Sequence, residues 1–139
     1  MQLAPAVQAS LDHWHRMVAS ADLRALHDII HPDAVFHSPM AFHPYAGGDT
    51  LATTLRTVLT IFEDFRYHRE FHADAHNVAL EFSARIDSRD VKGIDLIRFN
   101  DDGLIMEFEV MLRPASGLAA LGNRMAEKLG AYLQAAKNR

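Results

Sequence analysis

The feature that most constrains the fold is a change in hydrophobic period near Phe62. Before that point, apolar residues recur every three or four positions, which is typical of amphipathic helices. After it, apolar and polar residues alternate, which is typical of strands with one buried face. A helical pattern returns near Ser116. The sequence therefore predicts helices at both ends of the chain and a run of strands between them.

Four helices are predicted from apolar stripes at three- and four-residue spacing. The stripe of the first helix is Leu3, Val7, Leu11, Trp14 and Val18. Residues 23–30 predict a second, short helix that ends at Pro32, because proline cannot continue the helical hydrogen-bond pattern. The third begins near Asp49 or Thr50, either of which could cap it. The last helix presents Tyr132, which could close the mouth of a cavity.

Five strands are predicted, one short and four long. They cover residues 34–39, 65–73, 77–86, 91–99 and 104–114. In the first long strand, the side chains expected on the buried face are Phe65, Tyr67 and Phe71. Strands that follow one another through short turns pair antiparallel, and helices packed on one face of such a sheet give an α+β fold. We expect residues 1–139 to form one domain, in which a curved antiparallel sheet wraps over the N-terminal helices as a cone with an internal pocket.

Composition and charge exclude several classes of function. The 139 residues include no cysteine, which removes disulfides, thiolate nucleophiles and cysteine-based zinc sites. The net charge of −4, without a basic stripe, argues against nucleic-acid binding. No apolar run reaches the roughly 18 residues of a membrane span, and the N-terminus lacks the pattern of a signal peptide. We therefore expect a cytoplasmic protein that binds neither nucleic acid nor membrane.

Nine histidines raise the question of a metal site. His27 and His31 are four residues apart on a predicted helix, and His68 and His72 share a face of a predicted strand. Neither pair matches a specific metal-binding pattern. We therefore expect no metal and no other cofactor.

Asp95 is a carboxylate in the middle of an apolar strand, with Ile94 before it and Leu96 after it. A carboxylate is costly to bury unless it is paired. On one interpretation, it points into an apolar pocket, where burial raises its pKa and lets it donate a hydrogen bond. On the other, an arginine or a backbone donor pairs with it, and it only holds the sheet together.

The order of elements, together with the segment GIDLIRFNDDGLIMEFEVMLRP, resembles the nuclear transport factor 2-like superfamily. This superfamily includes ketosteroid isomerase and the SnoaL-like polyketide cyclases. The segment LDHWHRMVASADLRALHDIIHPDAVFHSP resembles the first two helices and first strand of the isomerase, and the stretch from Ile105 through VMLRP is similar to SnoaL-like members. The resemblance covers essentially the whole chain and implies a cystatin-like α+β barrel. Because this fold hosts enzymes and non-enzymes, the resemblance indicates the fold more strongly than the reaction.

In the isomerase, an aspartate base moves a proton, while a tyrosine and a protonated aspartate donate hydrogen bonds to the developing oxyanion. By this resemblance, Asp95 takes the position of the protonated aspartate and would be a proton donor or oxyanion stabiliser. The tyrosine position falls on Trp14, whose indole N–H could still donate. The base position falls on Ser38, and a supporting tyrosine falls on Leu55. Serine is no base at neutral pH without a partner, so steroid isomerisation by the family's mechanism is not expected.

His37 is the candidate to replace the lost base, because an imidazole changes charge near neutral pH. Strand alternation opposes this role, since His37 and Ser38 should point to opposite faces, although a bulged edge strand could bring His37 to the pocket. The side chains expected to bind substrate are Trp14, Ser38, Tyr45, Phe62, Phe99, Phe108 and Leu112. For Trp14 the alternative is plain core packing. Arg113 would bind an anionic group or bridge the last strand to the final helix.

Three functions remain open from the sequence. The favoured one is a SnoaL-like enzyme that performs cofactor-free acid–base chemistry, as an isomerase, cyclase or dehydratase, on a hydrophobic carbonyl compound. The second is a ligand-binding or assembly protein of the same fold without turnover. In the third, the pocket is a packing remnant and the outer face of the sheet forms a dimer. Leu96, Met106 and Met111 are expected on that outer face, so a homodimer is predicted.

Overall fold

The computed structural model describes residues 2–137. Three α-helices and six strands occur in that range. They are α1 (Pro5–Ser20), β1 (Ile30–His37), β2 (Tyr45–Ala46), α2 (Gly48–Ile61), β3 (Glu63–His72), β4 (Asn77–Ile86), β5 (Arg89–Phe99), β6 (Ile105–Arg113) and α3 (Ala115–Lys137). The predicted change from helices to strands is confirmed, and it falls at the end of α2.

The six strands form one curved, open sheet in the order β2-β1-β6-β5-β4-β3. Strands β3 to β6 follow one another in the chain and pair antiparallel, as their short connections predict. Strand β1 pairs parallel with β6, which the long connection between them permits. The α+β class with a curved sheet is therefore confirmed.

The helices pack on the concave face of this sheet and bury the main core against it. From α1, Val7, Leu11 and Trp14 are each at most 1% exposed. The Trp14 ring meets Phe108 of β6 edge-on, with 5.5 Å between ring centroids, a geometry that aromatic pairs favour. Full burial of an apolar side chain contributes about 1.5–3 kcal/mol. The apolar stripe of α1 is therefore sufficient to fix this helix on the sheet.

The second predicted helix is wrong. Leu26–Ile29 form a single 3-10 turn, and Ile30 already belongs to β1. Pro32 lies inside β1 instead of ending a helix. Proline restricts the residue before it to extended conformations, so this segment favours a strand over a longer helix.

An irregularity in β3 changes which of its side chains face the helices. The three steps from Tyr67 to Glu70 match two steps on β4, so β3 contains a bulge. A bulge reverses the alternation of side chains beyond it. Phe71 therefore points to the outer face and is 49% exposed, so its predicted place on the buried face is wrong. Glu70 faces α1 instead and lies 2.8 Å from the His15 imidazole.

The outer face of the sheet carries the apolar residues that the sequence placed there. Met111 is 48% exposed, and Leu96 and Met106 are partly exposed. Within residues 2–137, no helix combines the length and the apolar character that crossing a membrane requires.

Candidate functional site

A cavity of about 450 Å³ lies between the concave face of the sheet and the helices. This volume is in the range of pockets that bind small organic molecules. The aromatic side chains on its walls are Trp14, Phe36, Tyr45, Phe62, Phe65, Tyr67 and Phe108. In the part of the chain that the structure describes, Asp95 is the one carboxylate among the lining residues. The cavity thus suits an apolar molecule that meets one acidic group.

Six of the predicted site residues line this cavity. They are Trp14, Ser38, Tyr45, Phe62, Asp95 and Phe108. Asp95 is only 5% exposed, and its hydrogen-bond partner is a tyrosine instead of an arginine. Trp14 is part of the core and of the cavity wall at once, so its two interpretations hold together.

The structure contradicts the predicted place of His37 beside the cavity. Phe36 lines the cavity, and alternation along β1 sends the next side chain to the opposite face. There the His37 Nε2 lies 3.1 Å from Glu107 Oε2, and Arg98 also binds this carboxylate. The regular alternation of Phe36 and His37 leaves no bulge that would bring the imidazole to the cavity.

Phe99 and Leu112 also lie outside the cavity lining. Phe99 is at the end of β5, 2% exposed, and it packs into the main core. Leu112 packs against a second, smaller core that includes Val91 and Leu121. Phe99 is buried and Leu112 is partly buried, and neither side chain is among the lining residues of the cavity. Arg113 is exposed and is not among the lining residues.

A chain of hydrogen bonds connects Trp14, Tyr67 and Asp95. The Trp14 Nε1–H donates to the Tyr67 hydroxyl oxygen over 3.0 Å, and the Tyr67 hydroxyl donates to Asp95 Oδ2 over 2.6 Å. The indole can only donate, so the Tyr67 oxygen accepts and its own proton must point to Asp95. Trp14 therefore sets the donor-to-acceptor direction of both hydrogen bonds. Because Asp95 Oδ2 accepts from Tyr67, any proton carried by Asp95 itself belongs on Oδ1.

The second carboxylate oxygen of Asp95 is left free for the cavity. Oδ1 has no hydrogen-bond partner among residues 2–137, while every side-chain nitrogen or oxygen sealed from solvent in that range has one. Oδ1 must therefore reach open space, and the space beside Asp95 is the cavity. The geometry presents one carboxylate oxygen to a ligand and fixes the other.

Burial raises the pKa of Asp95 to about 7, and the hydrogen bond from Tyr67 partly opposes that rise. Burial, together with the neighbouring Asp95, holds the pKa of the Tyr67 hydroxyl well above its usual range. Tyr67 thus stays a neutral donor across the physiological range. Asp95, in contrast, populates both its charged and its neutral form near neutral pH, which suits a group that exchanges protons.

Tyr67 is the functional residue that the sequence left unassigned. Its inward position on β3 was predicted correctly, but its bond to Asp95 requires the side chain to reach across β4 to β5. Tyr67 pairs with Phe82, and Phe82 pairs with Gly93 on β5, two residues before Asp95. A tyrosine facing inward two strands from a lone carboxylate is the signal that could have found this pair.

Ser38 occupies the cavity wall just beyond β1. The Met40 backbone N–H donates to the Ser38 Oγ over 3.0 Å, which leaves the hydroxyl proton of Ser38 available to another acceptor. Ser38 can therefore act as a hydrogen-bond donor in the cavity, although not as a base.

Helix α3 forms the opposite wall with four small residues and with the larger Leu121, Asn123, Met125 and Leu133. Ala119, Gly122, Ala126 and Gly130 line the cavity at three- and four-residue spacing. A Cβ at Gly122 would lie 2.6 Å from the Met40 Cε, so the loop after β1 packs directly on α3 there. A Cβ at Gly130 would meet nothing within 4 Å. The wall is tight at one end and open at the other.

A second buried carboxylate, Glu81, lies on the outer face of the sheet and is 8% exposed. Arg69 donates to its Oε1 over 2.8 Å, and the Lys92 Nζ lies 3.2 Å from its Oε2. The hydrogen bond from Arg69 outweighs burial and, with help from Lys92, lowers the pKa of Glu81 to about 2. Glu81 is therefore a charged structural group that has no contact with the cavity.

Comparisons with known proteins agree with this architecture. A family model described as a SnoaL-like domain matches residues 11–108. A solved structure described as a steroid delta-isomerase from Pseudomonas aeruginosa is 54% identical, with a TM-score of 0.90, over 95% of this chain and 97% of that chain. A bacterial protein with a cystatin-like fold from Silicibacter pomeroyi is 29% identical, with a TM-score of 0.86, over 96% of both chains.

A more distant structure carries evidence on the fold alone. It is a nuclear transport factor 2-like protein of unknown function from Mesorhizobium loti, 17% identical with a TM-score of 0.70, over 80% of this chain and 93% of that chain. The curated proteins include no match to this chain. Together with the family model, these structures confirm the predicted superfamily.

Proposed function

Since the chain belongs to the SnoaL-like domain family, we propose that it is a small-molecule enzyme that transfers protons on a hydrophobic carbonyl compound without a cofactor. The observation that carries this proposal is Asp95. It is buried in an apolar cavity, Tyr67 fixes one of its oxygens, the other faces the cavity, and its pKa is about 7. Such a carboxyl group is poised to take up and release a proton at neutral pH.

Asp95 acts as the base in this proposal. With His37 on the opposite face of the sheet, Asp95 is the lining group in residues 2–137 whose pKa permits proton uptake near neutral pH. Its Oδ1 removes a proton from the carbon beside the carbonyl, and the electron pair of that C–H bond passes into an enolate. The proton then returns to a different carbon in an isomerisation, or to a new alkoxide after the enolate attacks a second carbonyl in a cyclisation.

Ser38 is the proposed donor to the enolate oxygen. Its hydroxyl proton has no acceptor among residues 2–137, and Ser38 lines the same cavity as Asp95. Hydrogen-bond donors that face a developing oxyanion lower the barrier in a site from which water is excluded. Relative to the isomerase that the sequence resembles, the base and the donor thereby exchange positions.

The substrate class follows from the walls of the cavity. The aromatic side chains and the small residues of α3 suit a flat, largely apolar molecule. The Pseudomonas aeruginosa protein, at 54% identity, is described as a steroid delta-isomerase, so a steroid ketone is the natural first substrate to test. The two-carboxylate mechanism of the resembled isomerase is not proposed, because Ser38 occupies its base position.

The test measures turnover against pH. The substrate is a steroid ketone whose carbon–carbon double bond is not conjugated with the carbonyl, and the absorbance of the conjugated product reports the rate. We expect kcat/KM to rise with pH through about 7 and then level off, because the charged form of Asp95 is the base. Asp95→Asn should lower kcat by roughly 100-fold or more, the usual contribution of a general base.

Glu81→Gln is the matched control, because it neutralises a carboxylate of similarly low exposure outside the cavity. This variant should keep its turnover. Full turnover by Asp95→Asn would contradict the proposal. A rate that falls as pH rises through 7 would give Asp95 the donor role instead of the base role. Stoichiometric binding without turnover would favour the ligand-binding protein of the same fold.

A further inference from the structure

Tyr45 places a further polar group in the cavity, on a strand three positions from that of Asp95 in the sheet. It belongs to the two-residue edge strand β2, where it pairs with Phe36 of β1. Its side chain lines the cavity and is 9% exposed. The Tyr45 and Phe36 rings are nearly parallel, at 25° and 6.3 Å between centroids. Strand pairing and ring packing together hold the tyrosine in place.

The hydroxyl of Tyr45 has no hydrogen-bond partner within residues 2–137, and it is not among the side-chain oxygens sealed from solvent there. Buried tyrosines normally direct their hydroxyl to a partner. Because the ring is packed and the hydroxyl is not sealed, the hydroxyl is the part of this side chain that reaches free space. A molecule in the cavity can supply the partner that the protein does not.

The register of the sheet separates this hydroxyl from Asp95. Tyr45, Phe36 and Phe108 form one row across β2, β1 and β6, and Asp95 lies on the next strand, paired with Val110. Neighbouring strands are about 4.8 Å apart, so three strand spacings amount to roughly 14 Å in a flat sheet. Curvature shortens the distance between the side chains. The paired residues between the two groups, namely Phe36, Phe108 and Val110, are apolar. Ser38, the proposed donor to the enolate oxygen, follows Phe36 by two residues, on the Val110 and Asp95 side of the row that contains Tyr45.

We propose that Tyr45 anchors the end of the ligand that is remote from the reacting carbonyl. The ligand is then an elongated apolar molecule with a carbonyl at one end and a hydroxyl or second carbonyl at the other. This inference rests on the proposed function, which places the reacting carbonyl near Asp95. It adds a specificity determinant that acts on binding and leaves the proton transfer to Asp95.

The test is a comparison of two ligands with wild type and Tyr45→Phe. Testosterone carries a ketone at one end and a hydroxyl at the other, and its deoxy analogue lacks that distal hydroxyl. One neutral hydrogen bond contributes about 0.5–1.5 kcal/mol, so wild type should bind testosterone about 2- to 12-fold more tightly than the analogue by calorimetry. Tyr45→Phe should weaken testosterone alone, so that the two dissociation constants become equal.

Tyr132→Phe is the matched control, because it removes a tyrosine hydroxyl outside the cavity lining and should preserve the difference between the ligands. Equal weakening of both ligands by Tyr45→Phe, no preference in wild type, or no binding of either steroid would overturn the inference. Asp95→Asn separates the two proposals. If it keeps full turnover while Tyr45→Phe still removes the ligand preference, the proposed base fails and the Tyr45 anchor stands.

Discussion

The concave and outer faces of the sheet each bury one carboxylate, and the two groups behave in opposite ways. Asp95 on β5 is 5% exposed and Glu81 on the neighbouring strand β4 is 8% exposed. The pKa of Asp95 is raised to about 7, whereas the pKa of Glu81 is lowered to about 2. Glu81 has Arg69 and Lys92 as partners, while Asp95 has a neutral tyrosine. Both side chains are little exposed, but Asp95 is enclosed in the cavity wall, whereas Glu81 lies at the outer surface beneath two cations. Burial and partner together therefore decide the charge of each group.

The difference shows why the concave face can hold a carboxyl group whose pKa is about 7. A cation beside Asp95 would hold it charged and make it a structural ion, as Arg69 does for Glu81. Tyr67 fixes the orientation of Asp95 with a single hydrogen bond and supplies no charge. The absence of basic residues from the cavity lining within residues 2–137 is thus as important to the site as the carboxylate itself.

The strongest way to sharpen this comparison is to measure stability against pH. Asp95 has a folded pKa above its unfolded value near 3.8, so its contribution is fully present below about pH 4 and is lost as pH rises through 7. The loss corresponds to about 4 kcal/mol. Glu81 has the opposite sign: its contribution is present above its unfolded value near 4.5 and is lost as pH falls towards 2.

Urea unfolding of wild type, Asp95→Asn and Glu81→Gln from pH 3 to pH 8 tests both signs. Asp95→Asn should gain stability relative to wild type as pH rises from 4 to 7. Glu81→Gln should lose less stability than wild type as pH falls below about 4.5. Parallel curves for wild type and Asp95→Asn would show that Asp95 is an ordinary charged carboxylate.

A smaller effect is expected when the partner of Asp95 is removed. Tyr67→Phe deletes the hydrogen bond that opposes the effect of burial, so the pKa of Asp95 should rise further above 7. A net hydrogen-bond energy near 1 kcal/mol limits the rise to about one pH unit. NMR titration of the Asp95 carboxyl measures it, with Tyr132→Phe as control. If the Asp95 carboxyl of Tyr67→Phe titrates as in wild type, Tyr67 has no influence on the pKa of Asp95.

The smallest expected effect concerns the outer face, where we propose that two copies of the chain meet. Phe71 and Met111 are each about half exposed there, and the ion pairs around Glu81 lie on the same face. Light scattering should give twice the chain mass of 15.6 kDa for wild type and a shift towards a single chain for Met111→Glu. Phe42→Glu, at a side chain 93% exposed in the loop after β1, is the control. A monomeric wild type at micromolar concentration would exclude this dimer.

The sequence predicts the elements well because each depends on a local period. The stripe of α1 and the alternation in β4 each persist over nine or more residues, and neighbouring strands joined by short turns leave little choice of pairing. The prediction fails where one extra residue in a strand reverses the alternation of the side chains that follow it. The bulge between Tyr67 and Glu70 moves Phe71 to the other face, and the sequence of β3 shows no mark of it.

The sequence predicts the carboxylate of the candidate site, Asp95, but not the residues that form hydrogen bonds around it. Asp95 stands out because a charge interrupts an apolar strand, which a sequence reveals directly. Its bond with Tyr67 crosses an intervening strand, and the contact of Trp14 with Tyr67 joins residues 53 positions apart. The place of Phe99 and Leu112 beyond the cavity depends on where the helices cover the sheet. Such distances arise only from the assembled fold.

The small residues of α3 have a consequence for how this protein and its relatives diverge. The acid–base group, its tyrosine and its tryptophan lie on the sheet and on α1, whereas the opposite wall belongs to a helix without any of them. At Gly130 a larger side chain would enter open space without displacing a neighbour. Mutation along this one helix can therefore resize the pocket while Asp95, Tyr67 and Trp14 stay unchanged. Under the proposed function, the pocket could then accept a different substrate after substitutions at a few positions of α3, while the proposed acid–base group stays unchanged.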